Sequence, residues 1–266
     1  VGLTEQKSNI QVIAVIPARY HSTRLEGKLL LPLAGKALIL HTVERVKAAR
    51  NVDRVIVATD DPRIKETIEN AGYECVMTSA NHQSGSDRIA EVAETFPEGT
   101  IVLNVQGDEP MIDTGTIEQA VEAIIDSDAD IVTSSESIND VKDVLSPDVV
   151  KVVTDSEGYA LYFSRAAIPF PREAVKKYGD PAGALEKEPQ LLAGFRKHTG
   201  LYVYRREYLL KYTKLEQTPG ERSEMLEQLR ALENGARIKV IEAAAPSIGV
   251  DTEEDYQRVR KILESK

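Results

Sequence analysis

An α/β protein built on a mainly parallel sheet is what this sequence predicts, on three observations. From Ile10 onward, short apolar β-branched runs alternate with helical patterns about a dozen residues long, the signature of parallel strands joined by crossover helices. The most cation-rich segment directly follows the first of these runs, at the carboxyl end of a strand, where ligands bind in open α/β sheets. The 266 residues, 42% hydrophobic and 29% charged, suffice for one large unit with a full core and exclude a disordered or collagen-like chain.

Taken in order, residues 1–9 are polar, lack the plan of a secretory signal and read as a disordered leader. Candidate strands follow at residues 12–16, 54–58, 74–77, 101–105 and 131–134, which make the first half a doubly wound sheet. Between them one helix starts at Asp61-Pro62, where Asp can cap the exposed amides and proline suits the first helical position. A second starts at Ser84, with Asp87 three residues on and Ile89, Val92, Ala93 and Phe96 tracing one apolar stripe.

Past about Pro147 the rhythm changes to strands at 149–154 and 199–204, around a polar stretch at 171–189 expected to be an exposed loop or short irregular helix. Two helices close the chain. One follows Thr218-Pro219-Gly220-Glu221, which has capping-box spacing, and the other follows Thr252 with Asp255 three residues later. The first is expected to run through residues 223–230, burying Met225, Leu226, Leu229 and Leu232 on one face.

The net charge of −10 repels polyanions, so no nucleic acid is expected as a partner. The longest apolar runs fall far short of the roughly 20 residues needed to cross a bilayer, so no membrane partner is expected. Cys75 is the one cysteine, which fits a reducing, cytoplasmic setting, and its apolar flanks suggest a buried strand thiol rather than a nucleophile.

Four places can carry chemistry. The segment Pro17 to Lys28 holds Arg19, Arg24 and Lys28 with Ser22, Thr23 and Gly27, a cation density on a loop that suits a triphosphate. It is not a Walker loop, and a solvated basic loop is the alternative. In Asn104 to Pro110 an apolar strand leads into Gly107-Asp108, where a carboxylate could hold Mg²⁺ or simply form a turn. Asp251 stands just ahead of a helix, as a cap or as a second ligand, with Thr252 competing for the cap role. Glu224, Glu227 and Gln228 share a polar helix face that could bind sugar hydroxyls or remain solvated. The histidines show no metal-ligand spacing, and His198, ahead of a strand, reads as structural.

Seven motifs in order resemble those of the 3-deoxy-manno-octulosonate (Kdo) cytidylyltransferases, also called CMP-Kdo synthetases. They are PARYHSTRLEGK at 17–28, NHQSGSDRIAEV at 81–92, LNVQGDEPMI at 103–112, EGYALYFSRAAIPF at 157–170, KHTGLYVY at 197–204, EMLEQLR at 224–230 and GVDT at 249–252. The resemblance implies a Rossmann-like, nucleotide-diphospho-sugar transferase-like fold with a small dimerisation subdomain, and a homodimer. It implies a single domain over 10–266, mainly nucleotide-binding in 10–147 and mainly sugar-binding and dimerising in 148–266.

Carried over, Arg19, Arg24 and Lys28 would grip the phosphates of CTP with Ser22 nearby, and Ser84, Gly85 and Arg88 would help hold the nucleotide. Gln106 would lie near both substrates. Asp108 and Asp251 would hold Mg²⁺, joining Lys28 and Arg19 as the catalytic group. His198, Tyr202, Glu227 and Gln228 would line the Kdo pocket, with Arg165 on that side. The implied role is supply of activated Kdo for lipopolysaccharide.

One departure stands out. Glu26 and Leu29 occupy positions where the family usually has proline, so the loop loses preorganisation and an anion stands near the phosphate site. Glu26 is expected to face outward. Rival readings are the same chemistry on sialic acid or an amino-Kdo, a non-catalytic nucleotide sensor, and a glycosyltransferase. The last is the weakest, because Asp126-Ser127-Asp128 and Asp128-Ala129-Asp130 lie between a helix and a strand and read as a turn.

Overall fold

The computed structural model describes residues 10–22 and 24–265, so the expected leader at 1–9 lies outside the described residues. The chain opens with β1 (Val12–Ala18), a short ribbon of β2 (Pro32–Leu33) and β3 (Lys36–Ala37), and α1 (Leu38–Lys47). Then come β4 (Arg54–Thr59), α2 (Pro62–Asn70), β5 (Glu74–Met77), α3 (Gly85–Ala93), β6 (Ile101–Asn104), α4 (Thr114–Ile125) and β7 (Ile131–Ser137). The rest comprises α5 (Val141–Leu145), β8 (Lys151–Thr154), β9 (Ala160–Ser164), α6 (Arg172–Tyr178), α7 (Pro181–Lys187), β10 (Arg196–Arg205), α8 (Arg206–Tyr212), α9 (Pro219–Glu224), α10 (Glu227–Glu233), β11 (Ile238–Glu242) and α11 (Glu253–Glu264).

The main sheet runs β11-β7-β10-β6-β1-β4-β5, parallel throughout except for β10, which lies antiparallel between β7 and β6. β1 is buried along its whole length, and its side chains alternate between two cores. Val12, Ala14 and Ile16 pack with α1, α2, α4 and α11 on one face. Ile13 and Val15 pack with α3, α8 and α10 on the other. β8 leaves the sheet from β10 and pairs with β9, and a smaller core of Ile138, Val144, Leu185 and Phe195 sits beside them. Lys151, fully buried on β8, closes this corner by donating to the carbonyls of Ser146, Val149 and Arg165 at 2.8, 2.6 and 2.6 Å.

Local signals set several boundaries. Asp61 caps α2 ahead of Pro62, and capping boxes close at Ser84/Asp87 and Thr252/Asp255. Three expectations give way. The stretch 171–189 holds two short helices, α6 and α7; Asp180 caps the second and Pro181 starts it. Thr218 makes no side-chain cap, and the Glu221 carboxylate pairs with Arg230. The helix through 223–230 is broken: Met225 has φ 53 and is 76% exposed, and α9 ends where α10 begins. Leu226 and Leu229 are buried as expected.

Candidate active site

The site is built on the carboxyl end of β1, beside residues 19–22 and 24–31. Gly27 donates to the Tyr20 carbonyl at 3.1 Å in a left-handed conformation (φ 65), with its α-carbon so near the Tyr20 ring that a Cβ would lie 3.0 Å from it. One tight helical turn over Lys28–Leu30 follows, anchored by Leu29, which is 4% exposed. The loop is therefore fixed by backbone bonds and a buried leucine where the two family prolines are missing. Glu26 points to solvent and pairs with the exposed His21 at 3.5 Å, as expected.

Three segments converge on Lys28. Its ammonium donates to Asp108 Oδ2 at 2.5 Å and to Asp251 Oδ1 at 2.8 Å, and Arg24 reaches Asp251 at 3.1 Å. The Val250 amide donates to the Asp108 carbonyl at 2.8 Å, tying the last segment to the loop after β6. Gly107 lets that loop press on β1, since a Cβ there would lie 3.3 Å from the Pro17 carbonyl. Thr252 takes the cap of α11, which leaves Asp251 facing the two cations. Burial works against the Lys28 charge, but Asp108 and then Asp251 outweigh it, and its pKa is raised above the ordinary lysine value.

Arg19, Ser22, Arg24, Lys28, Ser84, Gly85, Gln106 and Asp108 line one open pocket with Asp251. Arg19 also donates to the His82 carbonyl at 2.8 Å, and Ser84 caps α3, whose amino end faces the same pocket. Gln106 also lines two further cavities. One holds Tyr202, Glu227 and Gln228, floored by Asn104, Tyr204 and Tyr212. The other holds His198 and Asp251 with Glu109, Glu136 and Lys197. Three cavities thus meet at one side chain.

Two expected site residues turn elsewhere. Arg88 is fully buried, its guanidinium 3.1 Å from Asp60 and donating to Thr78, so it braces α3 against the ends of β4 and β5 instead of facing the pocket. Arg165 donates to the carbonyls of Glu224 and Pro147 at 2.7 and 2.8 Å, which commits it to holding the chain between α9 and α10. Both have partners far away in sequence.

His198 packs edge-on against Phe163 and beside Tyr202, with ring centroids 5.1 and 5.4 Å apart. The Thr133 hydroxyl donates to the Leu201 carbonyl at 2.7 Å, so across the 2.9 Å to His198 Nε2 it accepts. That puts the imidazole proton on Nε2. Burial lowers the His198 pKa to about 4. The unfolded chain takes up this proton near pH 6.5 and the folded chain does not, so the contribution to stability is intact above pH 6.5 and lost as the pH falls towards 4. The expected loss is roughly 2 kcal/mol across that window, and it disappears in His198→Phe. Parallel urea titrations of both proteins at pH 7.5 and 4.5 check this; identical pH dependence would overturn it.

Sequence reading passed over Glu109 and Glu136. Burial, opposed by a hydrogen bond from Ser247 and aided by Asp108, Glu136 and Asp251, raises the Glu109 carboxyl to about 7. Ser247 joins the two acids, donating from Oγ to Glu109 at 2.5 Å and from its amide to Glu136 at 3.0 Å. Glu109 stood beside Asp108 in the motif, which was the available signal. Burial also raises the pKa of Glu227, which accepts from Ser86 at 3.1 Å.

A cation-rich loop at the end of a parallel strand, facing two carboxylates across a cleft, is the layout of a nucleotide-handling α/β enzyme. The cytidylyltransferase family profile matches residues 13–238. A 3-deoxy-manno-octulosonate cytidylyltransferase of Trichlorobacter lovleyi is 49% identical over 255 residues, covering 96% of this chain and 99% of the relative. The enzyme of the same name from Geobacter sulfurreducens is 47% identical, over 96% and 100%. A solved CMP:2-keto-3-deoxy-manno-octonic acid synthetase complexed with CTP superposes with a TM-score of 0.85 at 38% identity, over 96% and 99% of the two chains. A cytidylyltransferase from Leptospira borgpetersenii, 17% identical with a TM-score of 0.62, shares the fold. The chain belongs to the cytidylyltransferase family, and within it to the 3-deoxy-manno-octulosonate cytidylyltransferases.

Proposed function

We propose that this chain transfers CMP from CTP to the anomeric 2-hydroxyl of Kdo, giving CMP-Kdo and pyrophosphate for lipopolysaccharide synthesis. The observation that carries the reading is the Lys28 ammonium, held between Asp108 and Asp251 at the mouth of the Arg19–Arg24 loop. The sugar hydroxyl attacks the α-phosphorus and gives up its proton to water, an oxygen–phosphorus bond forms, and the bond from that phosphorus to the oxygen bridging to the β-phosphate breaks, releasing pyrophosphate. Lys28, Arg19 and Arg24 stabilise the leaving pyrophosphate. Gln106 orients both substrates, being shared by the phosphate pocket and both neighbouring cavities. His198, Tyr202, Glu227 and Gln228 bind the sugar acid from those cavities.

Asp108 and Asp251 fit Mg²⁺ by their chemistry: both carboxylates reach the one Lys28 ammonium, so they stand close enough to share an ion, and this metal takes one or two carboxylates while keeping water and phosphate ligands. When bound there it would neutralise phosphate charge and lower the pKa of the attacking hydroxyl. Among the described residues no group of three or more acidic, histidine or cysteine side chains gathers as a closed metal cage.

The proposed setting is the cytoplasm. The single cysteine, Cys75, is free, which fits a reducing compartment, and no helix among the described residues is long and apolar enough to cross a membrane. The proposed assembly is a homodimer through the β9 side, where Leu161 and Phe170 are 63% and 58% exposed; a monomer mass in sedimentation would overturn it.

Pyrophosphate release from CTP and Mg²⁺ tests the function, with Kdo, sialic acid and an amino-Kdo assayed in parallel. Release with Kdo in preference to the others is expected. Release only with another acid would overturn the substrate, and CTP binding without release would leave a sensor.

A further inference from the structure

We propose that Arg230 and Glu221 are positioning residues for the sugar-acid pocket, acting through Tyr212 on the first turn of α10. The proposal rests on the reading that Glu227 and Gln228 face the sugar acid. Neither Arg230 nor Glu221 lines the cavity formed by Gln106, Tyr202, Glu227 and Gln228. Both are nonetheless charged and buried, at 8% and 3% exposure, which demands a reason.

Glu227 and Gln228 are the first two residues of a seven-residue helix that begins straight after the break at Met225. A helix this short does not hold its place unaided. Arg230 fixes it from behind. Its Nε lies 3.0 Å from Glu221 Oε2, across the break on α9, as an ion contact rather than a directed hydrogen bond. Nη1 donates to the Leu215 carbonyl at 3.2 Å, and the guanidinium carbon sits 4.8 Å from the centre of the Tyr212 ring.

Tyr212 carries the constraint forward. Its hydroxyl donates to the Glu227 carbonyl at 2.9 Å. Its ring stacks with Tyr204 at 6.4 Å and 19°, and Tyr204 stacks with Tyr202 at 5.8 Å and 20°. One guanidinium therefore sets both the backbone that presents Glu227 and the aromatic column that floors the cavity. Errors of about an ångström in such placement are costly to binding and rate.

The experiment is steady-state kinetics of the full chain with CTP and Kdo as separately varied substrates. Arg230→Met is expected to raise KM for Kdo about tenfold, and Tyr212→Phe, which removes one hydroxyl, about threefold, with KM for CTP changing less than about twofold in each. Should Arg230→Met fail to fold, Tyr212→Phe decides. Equal increases in both KM values, or no change in a folded variant, would overturn the brace. The unaltered protein separates the two readings: no pyrophosphate release with Kdo overturns the substrate assignment, whereas release without the KM split overturns the brace alone.

Discussion

Asp108→Asn lowers pyrophosphate release by about a thousandfold or more, the order expected when several kcal/mol of charge stabilisation leaves a phosphoryl-transfer site. Asparagine keeps the shape and can still accept from Lys28, whose ammonium retains Asp251 at 2.8 Å. The substitution also removes one negative charge from a corner that holds Asp251, Glu109 and Glu136. The fold is therefore expected to survive, with a melting temperature within a few degrees of the parent. Single-turnover pyrophosphate release beside a thermal melt makes the measurement. A folded variant with full activity would reject Asp108 as metal ligand.

Lys28→Met is expected to lower kcat/KM by about a hundred- to a thousandfold, the effect of losing one preorganised charge at a reacting centre. Its stability should behave differently from that of Asp108→Asn. Lys28 is 8% exposed and is the contact shared by Asp108 and Asp251, so its removal leaves two carboxylates facing each other with only Arg24 beside Asp251. A loss of roughly 1–3 kcal/mol is expected for a buried charge pair broken from one side at a partly open site. Added Mg²⁺ should recover more of that stability in the variant than it adds to the parent. Thermal melts with EDTA and with excess Mg²⁺ read this directly, and an equal response in both proteins would count against the two carboxylates as the metal site.

What could be read from sequence was what is encoded locally. The cap residues Asp61, Ser84 and Thr252 sit within three residues of their partners, and the structure forms all three. Arg19, Ser22, Arg24 and Lys28 share one loop after one strand, so their convergence needed only that strand to be recognised. Features set by distant partners could not be read that way. The apolar spacing at Leu226 and Leu229 persists through the break at Met225, which the pairing of Glu221 with Arg230 accompanies. Arg88 and Arg165 carry charge in the right motifs, but Asp60 and the Glu224 segment claim them. Glu109 becomes distinctive only when Ser247, more than a hundred residues later, closes over it.

The place of β10 in the sheet bears on how the molecule is made. β10 brings His198 and Tyr202 to the cleft, yet it lies between β7 and β6, strands that leave the ribosome long before it. At about 5–20 residues per second, the roughly sixty residues that separate β7 from β10 keep both neighbours waiting with open edges for several seconds. During that interval the emerging chain cannot complete its central sheet, and its exposed strands are sites where a chaperone would dock or another nascent chain would pair. His198 and Tyr202 thus reach the cleft in the step that fills the gap between β7 and β6, with Glu227, Gln228 and β11 following, so a chain truncated before β10 loses its central sheet along with its sugar side.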